Sequence, residues 1–254
     1  MKKFLFVVAA VSAFPLCLSA QGGPQLYNMG FDTWSKSGGA WYLYSKDAPA
    51  SKRVWDTPNP GTSKLGMNLA VPEYEHVAVP GKGKAAARLE SRKMAWAFVA
   101  GNLYNGHYVR TVELKGVETE LGAPFTGRPK GLKGYYHYLP KTINQVKHPY
   151  ESKEGSMDEV LIEVLLMDWD QPYRQVSHKT GFIDPVNDPH IIARAYLILK
   201  KGSSGYVPFE IPFTYRNGKT PSYAIFTISA SRFGDHQTGG SGTVLYVDEF
   251  SFTY

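Results

Sequence analysis

Very little in this chain announces a familiar chemistry. Of its 254 residues one is cysteine, Cys17, and it lies in the N-terminal apolar stretch, so the remainder has no pair from which a disulfide could form. The seven histidines show no His-x-x-x-His or comparable spacing, which argues against a zinc site. Neither Ser229 nor Ser231 sits in a Gly-x-Ser-x-Gly context, so acyl transfer of the familiar kind has no support. The Gly101–Gly106 stretch lacks the lysine and the helix of a phosphate loop. Lysine and arginine are scattered without a dense run, and the net charge of +6 does not suggest nucleic-acid binding. No apolar stretch reaches the roughly 20 residues of a membrane span. With 25 glycines and 17 prolines, few windows could hold three helical turns.

What is present begins with a leader. Met1-Lys-Lys precedes an almost wholly apolar Phe4–Leu18, and Leu18-Ser19-Ala20 precedes a polar Gln21-Gly-Gly. A basic start, a short apolar core and a small-residue cleavage site predict a secretory signal peptide over 1–20. Leu16 stands before Cys17 where lipid attachment would take a small residue. The mature chain, 21–254, is expected to be one secreted domain, periplasmic or at the cell surface, without a membrane span. Loss of Lys2 and Lys3 lowers its formal charge from +6 to +4.

Strand signals recur along it. Lys84–Ser91, Val109–Leu114, Leu132–Tyr138, Val160–Met167, Ile191–Leu199, Val207–Thr214, Tyr223–Ser229 and Thr243–Tyr254 are short, β-branched or aromatic, and bounded by turn residues. Val160–Met167 is apolar on both faces apart from Glu163, as a central strand buried between two layers would be. The stretch Met94–Ala100 fits a strand or a turn or two of helix equally well. Many strands without helices between them predict an all-β fold, a jelly-roll β-sandwich of two antiparallel sheets. The segments 45–66 and 142–155 are long for connections, and such loops either bind something or move. On the closing strand, alternation puts Val244, Tyr246, Asp248, Phe250 and Phe252 on one face, which leaves one carboxylate among apolar side chains and in need of a partner.

Aromatic residues make up 14% of the chain, and several stand where loop signals are strongest. Trp55 precedes Asp-Thr-Pro-Asn-Pro, and Trp169 and Tyr173 lie within Asp-Trp-Asp-Gln-Pro-Tyr. A loop aromatic can stack on a sugar ring or plug the loop onto the core. Asp168 and Asp170 flank Trp169 and point to one side of an extended chain, so they could divide acid and base roles, bind calcium, or form a solvated turn. Asp158 and Glu159 read as a solvated strand entrance. Asp32 and Asp248 are the pair expected to hold a structural calcium that clips the terminal strands, unless Asp32 caps a turn and Asp248 bonds backbone or arginine. No cofactor is required by any motif.

Several strings taken together identify a family. Gly30-Phe-Asp-Thr-Trp34, Ala100-Gly-Asn-Leu-Tyr-Asn-Gly106, Pro124-Phe-Thr-Gly-Arg-Pro129, Leu132-Lys-Gly-Tyr-Tyr-His-Tyr138, Ser229-Ala-Ser-Arg-Phe-Gly-Asp235 and Leu245-Tyr-Val-Asp-Glu-Phe250 occur in this order across the mature chain. In these the chain resembles the putative carbohydrate metabolism domain (PCMD) of secreted Bacteroidetes proteins. The resemblance implies a jelly roll like that of carbohydrate-binding modules, and a role in carbohydrate binding or glycoside hydrolysis. In its light the two prolines of Pro124–Pro129 would present Arg128 to sugar hydroxyls or to a carboxylate, Asp32 or Asp235. Asp235 would sit on a tight loop at one end of the sandwich. Three functions follow as expectations. A glycan-binding protein would use Trp169, Tyr173, Trp55, Arg128 and Asn102, with Asn105 and Gln171 beside them. A glycoside hydrolase would draw on Asp168, Asp170, Glu163 or Asp235. A surface adhesion protein would use the sandwich for partner contact.

Overall fold

The computed structural model describes residues 22–94, 97–112, 116–176 and 181–254, so the expected leader lies outside the described residues. Two sheets carry the fold. The larger runs Tyr173–Val176, Gly116–Leu121, Asn102–Val112, Tyr223–Ser229, Val160–Met167, Ile191–Leu199, Thr214–Tyr215, with Trp55–Asp56 added beside 102–112 and Ala123–Pro124 beside 223–229. The smaller runs Val207–Pro212, Gly131–Leu139, Val244–Thr253, Ala86–Glu90, Ala70–Glu73. All these pairings are antiparallel. The fold is an all-β sandwich of the jelly-roll type, as the strand signals predict. Of the stretch Met94–Ala100, residues 95 and 96 lie outside the described residues, and the rest contributes to two short strands, Arg92–Met94 pairing Ala97–Val99. The described part of the run read as Val109–Leu114, residues 109–112, belongs to a strand that already begins at Asn102.

Alternation dictates what meets between the sheets. Ile162, Val164 and Leu166 point inward with Leu103, Phe226, Leu132, Leu245 and Val247 into one continuous core. Phe31, Trp55, Phe226, Phe250 and Phe252 form a run of aromatic contacts through it, with ring centroids 5.1–5.7 Å apart. Such contacts contribute about 0.5–1.5 kcal/mol each beyond the area they bury. The other face of the central strand turns Leu165 and Met167 outward into a second apolar cluster with Ile191 and Ile225, covered by Trp169, Ile183 and Tyr223. The expectation of a strand apolar on both sides therefore holds, and loops supply the second layer.

The closing strand departs from simple alternation. Tyr135 faces Asp248 and Lys133 faces Ser251 across the pair, so Glu249 and Phe250 together oppose Gly134 alone. Glu249 takes a left-handed φ of 53° at this bulge. Leu245, Val247, Phe250 and Phe252 consequently all reach the core, and Asp248 does not share their face as alternation predicts. Gly134 is required here, because a Cβ would come within 2.3 Å of the Phe250 ring.

Asp248 is buried and accepts the Ala78 amide at 2.7 Å. Burial pushes its carboxyl up to about 6 against the lowering effect of that amide, and the charges of Glu249 and Asp32 add to the rise. Asp32 accepts the amides of Lys84 and Ala85, and Lys82 bonds Glu249 at 2.7 Å. Both aspartates thus pin the 78–85 loop to the sandwich. Calcium takes about six to eight oxygens, and among the described residues no three acidic, histidine or cysteine side chains converge to hold an ion. With Lys82 already on Glu249, the residues present do not fit one.

Asp158 overturns another expectation. It is fully buried, not solvated, and accepts from Ser231, Thr243 and the Gly240 amide, so that it ties three segments together. Burial raises its carboxyl, and these donors oppose the rise. Glu159 pairs with Arg232 at 2.7 Å. In the long 45–66 segment, buried Asn59 accepts from the Leu69 and Ala70 amides and donates to the carbonyls of Trp41 and Ala70, which fastens the loop down.

Candidate functional site

The central strand ends at Met167, and the chain then turns out of the sheet over Asp168–Pro172 before Tyr173–Val176 joins the sheet's edge. The turn is held from below: Ser222 donates to the carbonyls of Met167 and Trp169, and the Asp168 amide donates to the His190 carbonyl. Pro172 cannot donate to a ladder and suits the approach to an edge strand. The result is a pair of stacked rings, Trp169 and Tyr173, with centroids 5.2 Å apart and planes 24° from parallel. They border a depression of about 310 Å³ lined also by Asp170, Gln171, Arg174 and His190, with Asp168 in its wall.

The two aspartates of this turn have separate fates. Asp168 bonds the Lys219 ammonium through one oxygen and His190 Nδ1, at 2.9 Å, through the other. The Lys219 hydrogen bond, helped by His190, holds its carboxyl below the usual range. A carboxylate so held is a poor proton donor. Asp170 is exposed and has no ion-pair or hydrogen-bond partner among the described residues. The expected acid/base division between them is therefore not built.

Other predicted residues lie elsewhere. Trp55 is 1% exposed, and its indole N–H donates to the Tyr27 carbonyl at 2.7 Å. It offers no face to a sugar, because Trp55–Asp56 is itself a strand of the larger sheet and alternation turns the tryptophan inward. Arg128 stacks on Tyr215, 4.2 Å from the ring centroid, and donates to the carbonyls of Asn217 and Lys219. It pairs with neither Asp32 nor Asp235. Its effect on the depression is indirect, through the turn that carries Lys219. Asn102 opens its strand opposite Ser229, outside the lining of the depression, with a buried Oδ1 that has no partner among the described residues. Asn105 is buried, donating to the Val54 carbonyl and accepting from the Phe226 amide.

Of the carboxylates expected to serve hydrolysis, Glu163 feels the charge of Asp235. Glu163 is buried on the outer side of the central strand, where burial raises its carboxyl, Arg194 lowers it, and the charge of Asp235 raises it further. Arg194 bonds Glu163 at 2.6–2.7 Å and lies over the ring of Tyr196, which is 50% exposed. Asp235 is exposed on the short turn Gly234–His236. Sequence reasoning missed Arg194 and Tyr196 as neighbours of Glu163. Their two-residue spacing was legible, but the register that sets Tyr196 opposite Glu163 was not.

Solved structures that share this fold include a putative glycoside hydrolase from Bacteroides thetaiotaomicron (18% identity, 92% of this chain and 72% of that chain, TM-score 0.68) and one from Bacteroides vulgatus (19% identity, 87% and 89%, TM-score 0.60). A carbohydrate-binding module specific for non-crystalline cellulose aligns over 88% of this chain and 97% of its own at 11% identity, but its TM-score of 0.36 is too low to carry an argument. No curated protein matches the sequence. The family model described as putative carbohydrate metabolism domain matches residues 30–253, and the chain belongs to that family.

Proposed function

We propose that this protein binds glycans at the bacterial envelope, exported by the leader at its N-terminus, and that the Trp169–Tyr173 depression is where a sugar is held. The stacked ring pair carries this reading. An aromatic face takes the C–H side of a pyranose, and the polar groups around it, Asp170, Gln171 and Arg174, can meet its hydroxyls. Binding without turnover is favoured because Asp168 is saturated by two partners and Glu163 is closed off under Arg194. A glycan array probed with the wild type and with Trp169→Ala tests it. Saturable binding without product release, lost in the variant, is expected. Flat signals across plant, host and bacterial glycans overturn it.

Glycoside hydrolysis has one observation in its favour, the raised carboxyl of Glu163 beside the charge of Asp235. Turnover of chromogenic glycosides that is abolished by both Glu163→Gln and Asp235→Asn would replace binding by hydrolysis.

A further inference from the structure

The charges around the depression carry a statement about which sugars it takes, one that rests on the glycan-binding reading. Asp168 is matched by the Lys219 ammonium, with His190 on its other oxygen. Outside the lining, Glu118 is only 4% exposed at its side chain and gives one oxygen to Nε of Arg174 and the other to Nε of Arg110 at 2.6 Å. The side chain of Arg174 is 60% exposed and lines the depression, and its Nη groups lie beyond the Nε that Glu118 holds. They are fixed in direction by the Nε bond to Glu118, so Arg174 is a preoriented donor whose charge is already partly answered. Opposite in character is Asp170, an exposed, acceptor-only carboxylate without a counter-ion among the described residues.

We infer that the depression selects uncharged sugar units, with Asp170 accepting from adjacent ring hydroxyls and Arg174 donating to them, and that it discriminates against uronic acids. A neutral diol uses both groups: its O–H protons go to the carboxylate and its lone pairs accept from the guanidinium. A sugar carboxylate would meet Asp170 as a like charge, and Arg174 could answer it only in part because Glu118 already shares that guanidinium. A free amine would find Asp170 but face Arg174. Gln171, which both donates and accepts, adds to the match for hydroxyls. Two rings and one donor–acceptor pair describe a site for the polar edge and apolar face of one neutral pyranose.

The test uses the full mature protein and oligosaccharide pairs that differ at one group, hydroxymethyl against carboxylate at C6 and hydroxyl against amine at C2, measured by titration calorimetry at low and high salt. The neutral member should bind at least tenfold more tightly than the uronate, and the gap should narrow with salt. In Asp170→Asn, an exposed change that leaves the fold alone, neutral binding should weaken and the penalty on the uronate should vanish. Equal or tighter uronate binding, tighter binding of the free amine, or a penalty that survives in Asp170→Asn overturns the inference. If binding needs Trp169 and ignores charge, selectivity alone is lost and the binding site stands. If nothing binds and Trp169→Ala behaves as the wild type, the glycan-binding reading falls and the selectivity with it.

Discussion

Trp55 and Trp169 look alike in the sequence and sit in opposite environments, so paired substitutions separate packing from recognition. In Trp55→Phe the aromatic contacts to Phe31 and Phe226 are partly kept. What goes is the indole hydrogen bond to the Tyr27 carbonyl and the packing of the pyrrole part of the ring. A partly buried carbonyl left without its donor costs about 1–2 kcal/mol, and the vacated space adds about 1–2 kcal/mol. Together these predict a loss of roughly 2–4 kcal/mol, which for a domain of this size lowers Tm by roughly 5–15 °C. Trp169 is only partly buried, against Leu165, Met167, Ile191 and Ile225, so Trp169→Ala should cost less stability, about 1–2 kcal/mol. Urea unfolding followed by far-UV circular dichroism measures both, because it does not depend on the tryptophan removed, and calorimetric titration with a bound glycan measures affinity. Trp55→Phe should shift the urea midpoint and leave the affinity of the folded protein unchanged. Trp169→Ala should raise Kd at least tenfold, about 1.4 kcal/mol. A Trp55→Phe protein that keeps its midpoint but loses affinity as Trp169→Ala does would refute the placement of Trp55 in the core.

Stability should depend on pH in an unusual direction. Burial raises Asp56 and Asp248 from the usual carboxylate value to about 6, so each contributes stability that is full below about pH 4 and lost as pH rises through about 6, on the order of 2 kcal/mol. Asp168 and Glu118, held low by Lys219 and by Arg110 and Arg174, act oppositely and lose their contribution only as the solution becomes strongly acidic. Tm should therefore be higher at pH 5 than at pH 7.5, and Asp248→Asn should shrink the difference; an unchanged difference in that variant counts against its burial. Gly134→Ala forces a methyl onto Phe250 at the bulge and should cost about 1–3 kcal/mol by denaturation, whereas no loss would mean that the bulge can relax. Arg128→Ala removes two bonds to the 217–219 turn, for about 1–2 kcal/mol. As Lys219 loosens from Asp168, glycan affinity should fall severalfold; intact affinity would show that the turn does not position the site.

The strands were legible because their signals are local. Val160–Met167 and Tyr223–Ser229 carry their own period of two and are bounded by their own turn residues, so their existence and approximate limits needed no knowledge of neighbours. The aromatic loop was legible too, because Trp169 and Tyr173 flank a proline in a polar turn. What failed were inferences that depended on how distant segments meet. Alternation groups Asp248 with Phe250 and Phe252, but a bulge at Glu249, set against Gly134 of another strand, turns the two phenylalanines to the opposite face. Trp55 reads as a loop residue because the strand it joins lies about fifty positions away.

Composition and periodicity by themselves determined an all-β sandwich without disulfide support and marked Asp168–Tyr173 as a turn that carries aromatic rings, since both follow from side-chain size, polarity and backbone freedom over a few residues. Only the tertiary structure decided which carboxylates are free. Asp168 is silenced by Lys219 and His190, Asp158 and Asp248 are consumed by backbone amides and hydroxyls, Glu163 is covered by Arg194, and among the described residues of the depression Asp170 is the carboxylate left to accept. The partners come from strands and turns up to 170 positions away, and a charge's availability is set by what the fold brings within hydrogen-bond reach of it.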